Sequence, residues 1–387
     1  MGALVRTLHG KLLPVMACIL LVCGCRHTGK TVSAPQVDPV DSMSLREKVS
    51  AMFWVRPEAL DPTFTWVSND DLVANGLIEL TDTMRAVASE YPVGGIILFA
   101  HNIQSPEQLK AFTDSIHALA GTPLVCVDEE GGRVARLANN PAFGLPHTGP
   151  MESLAAKKGV SGVSQAAATI GKYLKEYGFD IDFAPVADVN TNPHNIVIGP
   201  RAFSSKPEEA AKMVSAYLKA LQKEGVTGCI KHFPGHGDTS ADTHYGYAVS
   251  KKSLEELRSC ELIPFRAGID AGARMVMTAH ISLPAVTGSN IPSTLSPEVL
   301  TGILREEMGF DGVIVTDAME MGAITRQYSP VEACILAVKA GADVLLCVKD
   351  FRSAVDSLEA AVLAGDIPET RIDESVRRIL ALKPHCQ

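Results

Sequence analysis

The chain has 387 residues, of which 46% are hydrophobic, and its formal net charge is -9 at pH 7. This composition is sufficient for a large folded core and excludes a mostly disordered chain. The negative charge argues against a nucleic-acid partner, because phosphates require a basic protein surface. We therefore expect a folded protein that acts on something other than DNA or RNA.

The N-terminal segment has the pattern of a secretory signal peptide. Two basic residues precede an apolar run over residues 12–24, and this run is short for a transmembrane helix. The run ends in VCGC, which resembles a bacterial lipobox, where the cysteine is lipidated and becomes the mature N-terminus. We predict a lipoprotein signal peptide at residues 1–24, lipidation of Cys25, and a lipid-anchored polar tether at residues 25–43.

This prediction places the protein outside the cytoplasm. The chain is expected to be exported and lipid-anchored to a bacterial membrane, on its periplasmic or outer surface. An ordinary cleaved signal and an uncleaved anchor are the two alternatives.

Short apolar runs rich in Val, Ile and Leu recur along the rest of the chain. Eight of them are candidate strands: SAMFWV, GGIILFA, PLVCVDEE, FDIDFAPVADV, VTGCIKHF, ARMVMTAHI, DGVIVTDAM and ADVLLCVKD. Continuous apolar runs are typical of parallel strands with helices on both faces. Amphipathic stretches such as PEEAAKMVSAYLKALQKEG, LEELRSCELIPFRAGIDAG and SPEVLTGILREEMG separate most of them. The pattern predicts an α/β fold, a (β/α)8 TIM barrel, as a single domain over residues 44–387.

Polar residues follow several of these runs at their C-terminal ends. They are Asp128, Glu129 and Glu130 after PLVCV, Asp188 and Asn190 after FAPVA, Lys231 and His232 after GCI, His280 after MVMTA, and Asp317 after VIVT. One such residue is explained by a hydrogen-bonded strand end or a helix cap. Five such ends converge on one rim of a barrel, where active sites of this fold lie. The pattern therefore predicts an enzyme.

The stretch KHFPGHGDTSADTHYG, residues 231–246, places three histidines and two aspartates in a segment without helical or strand periodicity. Its proline and three glycines restrict the path of the chain. Such crowding of histidine and aspartate predicts groups held for chemistry or for a metal.

Five motifs together resemble the single-domain β-N-acetylglucosaminidases of glycoside hydrolase family 3, the group that includes peptidoglycan-recycling enzymes. They are VDEEGGRVARL, NIVIGPRAF, KHFPGHGDTSADTH, VMTAHI and GVIVTDAMEMGAI. They occur in the family's order, and the resemblance covers about residues 45–382. It implies a (β/α)8 barrel, a retaining mechanism, an oligosaccharide or glycan substrate, and no cofactor or required metal.

The resemblance also assigns roles to individual residues. Asp317 falls on the position of the catalytic nucleophile, and His244, with Asp242 as its partner, falls on the position of the acid/base dyad. Asp128, Arg136, Arg201, Lys231 and His232 fall on sugar-contacting positions. This subgroup uses a histidine where most glycosidases use a second carboxylic acid.

Other residues of these motifs receive lesser roles. Arg133 is expected to be structural, pairing with a nearby carboxylate, and His236 to hold the loop in shape or to contact the sugar. His280 and Met319 are expected to line the pocket without taking part in chemistry.

The sequence departs from the family pattern at two positions. Glu129 stands where glutamine is common, and Ala318 stands where some relatives carry a second aspartate. In addition, residues 56–91 form a longer link between the first two strands than a tight barrel needs, and this link has no assigned role.

Several alternatives remain beside this interpretation. A metal-dependent hydrolase would use His232, His236 and His244, together with Asp238 or Asp242, as ligands. A sugar-binding lipoprotein without turnover would not need a nucleophile and an acid/base dyad. A phosphorylase of the same family would use phosphate in place of water, and another family 3 β-glycosidase would release a different sugar.

Overall fold

Eight short parallel strands form the central sheet of the protein, whose computed structural model describes residues 38–65, 74–239 and 248–383. They are β1 (Phe53–Val55), β2 (Gly95–Ile97), β3 (Leu124–Val127), β4 (Ile181–Asp182), β5 (Thr227–Phe233), β7 (Met275–Thr278), β9 (Val313–Val315) and β10 (Leu345–Leu346). Their order in the sheet is β10-β1-β2-β3-β4-β5-β7-β9. A parallel bridge between Val315 and Val344 joins the last strand to the first. The (β/α)8 barrel is confirmed, and each of its strands lies within one of the eight predicted runs.

Two further strands, β6 (Ala248–Val249) and β8 (Ile281–Ser282), pair with each other outside the ring. The sequence analysis did not predict this ribbon, because two residues are too few to produce a periodic signal. Because β6 lies between β5 and β7 in the chain and β8 follows β7, the ribbon joins the segments that leave two neighbouring barrel strands.

Helices lie between most of the strands. The α-helices span Leu45–Ala51, Asp82–Glu90, Pro106–His117, Met151–Glu176, Pro207–Lys223, Leu254–Ser259, Leu262–Asp270, Pro284–Thr287, Gly322–Thr325, Pro330–Ala340, Phe351–Leu363 and Glu369–Ala381. Short 3-10 turns occur at Pro39–Ser42, Pro57–Leu60, Ala100–Asn102, Pro141–Phe143, Gly199–Arg201 and Ser293–Leu295. Within the described ranges, no helix is both long enough and apolar enough to cross a bilayer.

The predicted helical stretches differ from the observed helices in two places. The stretch LEELRSCELIPFRAGIDAG forms two helices, because the backbone at Cys260 leaves the helical conformation (φ -140°, ψ -78°). The stretch SPEVLTGILREEMG forms the wider π-helix Glu298–Glu307. These are changes within helices, so they leave the order of strands and helices as predicted.

The folded unit contains the residues from Pro39 onward. Val40 is fully buried, and the helix Leu45–Ala51 begins at a capping box in which Ser44 and Glu47 bond reciprocally. The predicted domain start at residue 44 therefore lies a few residues inside the folded unit. The proposed signal peptide and Cys25 lie outside the described residues.

Packing between neighbouring strands depends on a glycine in β2. Trp54 of β1 is fully buried, and its partner in the ladder is Gly95. A Cβ atom at Gly95 would stand 2.7 Å from Trp54 Cδ2, closer than carbon atoms pack. Only glycine therefore allows the indole ring to lie across the strand.

At the end of the barrel where the strands begin, one buried carboxylate joins two strands and two helices. Asp343 is fully buried and accepts hydrogen bonds from Ile314 N at 2.9 Å and Ser375 Oγ at 2.8 Å. It also pairs with the guanidinium groups of three arginines, Arg305, Arg371 and Arg378. The pKa of Arg305 falls to about 10, because burial and the two neighbouring arginines lower it by more than Asp343 raises it. Asp343 is thus the buried anion that the three arginines share, and the more exposed carboxylate of Glu374 adds a contact of 4.0 Å to Arg378.

We expect Asp343→Asn to destabilise the fold, because it removes the negative charge that compensates three buried or half-buried arginines. Breaking a buried ion pair costs about 3–5 kcal/mol, and urea unfolding followed by circular dichroism would measure the loss. The matched control is Asp356→Asn, whose carboxylate is half exposed and 3.0 Å from Arg46. Exposed pairs contribute about 0–1 kcal/mol, so equal losses in the two variants would contradict the assignment.

Candidate active site

A cavity of about 610 Å³ opens where the barrel strands end. Its volume is typical of sites that bind small molecules. Side chains from the ends of β3, β4 and β5 line one half, namely Asp128, Glu130, Arg136, Arg201, Lys231, His232 and His236. Residues from β1, β2, β9 and β10 line the other half, including Arg56, Phe99, His101, Asp317, Glu320 and Cys347. All five predicted sugar-contacting residues therefore share one cavity with Asp317.

Lys231 connects the charged residues of the first half of the cavity. Its side chain is 3% exposed, and its Nζ donates to Asp128 Oδ1 and to Glu130 Oε1, both at 2.7 Å. These two carboxylates raise the pKa of Lys231 against the opposing effect of burial. Arg136 Nη2 lies 3.4 Å from the second oxygen of Asp128. Asp128 is therefore held from two sides, with its carboxylate on the cavity wall.

Glu130 is a site residue whose role the sequence analysis missed. Arg201 grips its carboxylate with two hydrogen bonds, from Nε to Oε2 at 2.8 Å and from Nη2 to Oε1 at 2.7 Å. Burial alone would raise the pKa of Glu130, but Arg201 and Lys231 lower it far below its ordinary value. The residue was visible at a strand end, but nothing in the sequence pairs it with an arginine 71 positions away.

His232 and His236 share the buried carboxylate of Asp188. Asp188 Oδ2 lies 2.7 Å from His232 Nδ1, and Asp188 Oδ1 accepts from His236 N at 2.6 Å. A carboxylate accepts hydrogen bonds, so His232 Nδ1 carries the proton in this pair. The other ring nitrogen of His232 lies 3.4 Å from Arg201 Nη2, which orients it towards the sugar-contacting residues.

His236 holds the loop in shape, as one of its two expected roles requires, and contact with the sugar stays a prediction. Its ring lines the cavity, and its Nδ1 lies 2.7 Å from Thr239 Oγ1, so it also shapes the loop. Burial lowers the pKa of His236. The next residue must be glycine, because a Cβ atom at Gly237 would stand 1.9 Å from Val189 O.

Asp317 follows β9 and faces the cavity. Its Oδ1 accepts from Ala318 N at 2.8 Å, and no hydrogen bond to Oδ2 comes from the part of the chain that the structure describes. Burial alone would raise the pKa of Asp317, but His280 and His232, with Ala318 N and Lys231, bring it below its ordinary value. Asp317 is therefore a carboxylate at neutral pH that lines the cavity.

The predicted acid/base residues cannot be located in the same way. Asp242 and His244 lie outside the described residues, which stop at Thr239 and resume at Ala248. Their roles stay predictions from the resemblance.

Two expectations about nearby residues were wrong. His280 and Met319 are buried and lie behind the cavity wall, not on it. Arg133 does have a structural role, but it pairs with the carbonyl groups of Ile196 and Val197 instead of a carboxylate. It thereby supports the segment that leads to Arg201.

The contacts of Glu129 explain why a glutamate stands where glutamine is common in the family. Its buried carboxylate accepts from Arg136 N, Leu137 N and Ala138 N at 2.5 to 3.0 Å, and from the Tyr173 hydroxyl at 2.8 Å. These four donors need two acceptor oxygens, which glutamate supplies and glutamine does not. The other departure, Ala318, takes part in the site through its backbone.

Apart from Asp317, the residues of the second half of the cavity were not predicted. Arg56 pairs with Glu320 and lies over the Phe99 ring at 4.5 Å. The link at residues 56–91 supports this side, because Glu58 Oε1 accepts from Leu77 N at 3.0 Å and from Asn102 Nδ2 at 2.7 Å. The described part of the link therefore supports the rim of the cavity through hydrogen bonds.

The metal-site alternative finds little support in these contacts. Across residues 38–65, 74–239 and 248–383, no three His, Cys, Asp or Glu side chains are grouped to hold a metal ion. Within those ranges, both ring nitrogens of His232 already face protein groups, Asp188 and Arg201. A guanidinium beside a ligand nitrogen repels a cation.

Comparisons with known proteins agree with the motifs. Residues 44–382 match the model of the glycosyl hydrolase family 3 N terminal domain. Beta-hexosaminidase LpqI of Mycobacterium tuberculosis is 36% identical over 326 residues, which cover 81% of this chain and 81% of that protein. Beta-hexosaminidase A of Pseudoalteromonas piscicida is 34% identical over 330 residues, covering 79% of this chain and 55% of that protein. The chain thus spans about half the length of the latter relative.

Solved structures agree as well. A glycoside hydrolase family 3 beta-N-acetylglucosaminidase from Paenibacillus sp. superposes with a TM-score of 0.80 at 37% identity, over 88% of this chain and 62% of that chain. Mycobacterium tuberculosis LpqI superposes with a TM-score of 0.75 at 31% identity, over 89% of this chain and 96% of that chain. Because the family model matches most of the sequence, the chain belongs to glycosyl hydrolase family 3.

Proposed function

We propose that the protein is an exo-acting, retaining β-N-acetylglucosaminidase. It would remove terminal β-linked N-acetylglucosamine from glycans such as peptidoglycan fragments or chitooligosaccharides. The observation that carries the proposal is the Asp317 carboxylate, which lines the same cavity as the Asp128, Lys231 and Arg201 cluster and is held through Oδ1 by Ala318 N. The names of the relatives support the choice of N-acetylhexosamine over other sugars.

The proposed reaction has two displacement steps. In the first, Asp317 Oδ2 attacks the anomeric carbon, the bond to the leaving oxygen breaks, and His244 protonates that oxygen. In the second, His244 takes a proton from water, which attacks the same carbon and releases Asp317. Two inversions give net retention. Asp242 would orient the imidazole and stabilise its protonated form.

The charged half of the cavity would bind the sugar ring. Asp128 and the arginines Arg136 and Arg201 offer acceptors and donors for hydroxyl groups, and hydrogen bonds to charged groups are the stronger ones. Because Lys231 and His232 are held by buried carboxylates, these groups are ordered before the sugar arrives. The binding geometry therefore requires little reorganisation.

Phosphorolysis is the second candidate, because phosphate could replace water in the second step. Release of sugar from an aryl β-N-acetylglucosaminide, with and without phosphate and chelator, separates the candidates. Free sugar in both buffers supports the hydrolase, and a sugar phosphate formed only with phosphate supports the phosphorylase. Activity that a chelator abolishes would contradict the metal-independent mechanism.

We expect Asp317→Ala to abolish turnover of the aryl glycoside, because no other described carboxylate offers an oxygen at this position. Loss of a nucleophile typically reduces kcat by about 10⁴-fold or more. Asp311→Ala is the matched control, since Asp311 is exposed and precedes β9 at the opposite end of the strand. Full activity in the Asp317 variant would end the proposal.

For His244→Ala we expect a loss that depends on the leaving group. Alkyl or sugar leaving groups need protonation, so their kcat/KM should fall by about 10²- to 10⁴-fold, whereas activated aryl groups should lose far less. His194→Ala, at an exposed histidine, provides the control. Equal losses for both substrate types would argue against His244 as the acid.

We also propose that the chain is exported and held at a bacterial membrane by a lipid on Cys25. The sequence VCGC at the end of the apolar run supports this. With Cys25→Ser, the protein should move from the membrane fraction to the soluble fraction, or remain as an uncleaved precursor. Cys260→Ser, in the folded unit, should leave fractionation unchanged. A Cys25 variant with both the molecular mass and the fractionation of the wild type would rule out the lipid anchor.

A further inference from the structure

A buried histidine contacts the residue that follows the nucleophile. His280 comes two residues after the end of β7 and is 1% exposed. Its Nε2 lies 3.1 Å from Ala318 O. A carbonyl oxygen only accepts, so Nε2 carries a proton and donates it to this bond.

The other side of the His280 ring is held by two buried hydroxyl groups. Thr294 Oγ1 lies 2.8 Å from His280 Nδ1 and 2.7 Å from Thr278 Oγ1. Both threonines are fully buried. Because the two ring nitrogens are each engaged, the orientation of the imidazole is fixed and its Nε2–H is directed at Ala318 O.

Ala318 is therefore held at both ends of its backbone. Its carbonyl accepts from His280, while its N–H donates to Asp317 Oδ1 at 2.8 Å. Met319 N, one residue further, donates to Leu346 O of the neighbouring strand at 2.8 Å. The short segment after β9 is thus tied to β7 through His280 and to β10 through Met319.

We propose that His280 is a positioning residue for the nucleophile, acting through the backbone of Ala318. By holding that backbone, it keeps the Ala318 N–H on Asp317 Oδ1, so that Oδ2 is the oxygen presented to the anomeric carbon. This inference rests on the proposed function, in which Asp317 attacks the sugar. It gives a role to a residue that touches neither the cavity nor the substrate.

The charges around Asp317 provide a second readout of this arrangement. Among the described residues, the charged or titratable groups that act most strongly on its carboxylate are His280, His232, Lys231 and His236, all of them basic. Burial alone would raise the pKa of Asp317, and His280 is the first of the groups that oppose this effect. Without His280, the pKa of Asp317 should rise, so the acidic limb of kcat/KM should move to higher pH.

The test compares the full-length protein with three variants of it. His280→Leu removes the donor to Ala318 O, His280→Gln keeps an N–H donor near the Nε2 position, and Thr294→Val removes the hydroxyl that orients the ring. The matched control is Thr113→Val, because Thr113 is also fully buried and donates to Tyr177 O at 2.9 Å, away from the cavity. Circular dichroism melting would verify that each variant is folded.

For His280→Leu we expect kcat on an aryl β-N-acetylglucosaminide to fall by about 10²-fold, the cost of a small displacement of a reacting group. KM should change little, because Asp128, Lys231 and Arg201 are untouched. His280→Gln should recover most of the loss, Thr294→Val should lie between the two, and Thr113→Val should keep the wild-type kcat. The acidic limb should shift in His280→Leu and not in Thr113→Val.

Three outcomes would overturn the inference while leaving the proposed function intact. The first is wild-type kcat in a folded His280→Leu variant when Asp317→Ala is inactive. The second is an equal loss in the Leu and Gln variants with an unmoved acidic limb. The third is a loss of kcat in Thr113→Val as large as that in Thr294→Val. An inactive wild-type enzyme would instead contradict the proposed function itself.

Discussion

The active-site half of the barrel depends on one buried cation. An unpaired ammonium group in a protein interior is costly, and Lys231 is acceptable there only because Asp128 and Glu130 each lie 2.7 Å from its Nζ. This requirement brings the end of β5 next to the end of β3. Arg201, in the segment after β4, also pairs with Glu130 and so belongs to the same network of charges. Three strands are therefore aligned by the need to compensate charge as well as by backbone pairing.

The same network of ion pairs fixes the orientation of the side chains that are predicted to contact the sugar. Each cation faces a carboxylate that is itself held by backbone or by a second cation, so no member can turn away without leaving a buried charge unpaired. Asp317 is anchored differently, by the N–H of its own neighbour. The charged half of the cavity is ordered by side-chain charges, whereas Asp317 is ordered by the backbone.

The sequence was sufficient to predict the barrel, because apolar runs and their spacing report directly on buried parallel strands. It also identified Asp128, Lys231, His232 and Asp317, since a polar residue after such a run must lie on the rim. Partners were harder to predict. Glu130 with Arg201, and His280 with Ala318, are separated by 71 and 38 positions, and only the folded chain shows which distant groups meet.

The acidic side chains after β3 point alternately to opposite sides, and this alternation specifies the register of β3 in the barrel. Asp128 and Glu130 face Lys231, whereas Glu129 between them faces Tyr173 and the backbone of residues 136–138. Successive side chains of an extended chain point to opposite sides. A slip of β3 by one residue would leave Glu129 as the one carboxylate of the three facing Lys231 and would move Asp128 and Glu130 to the opposite side, where the described contacts hold no cation. Charge compensation therefore stabilises the observed register of β3. A barrel with β3 in a shifted register would be less stable, and the loss would arise at the active site.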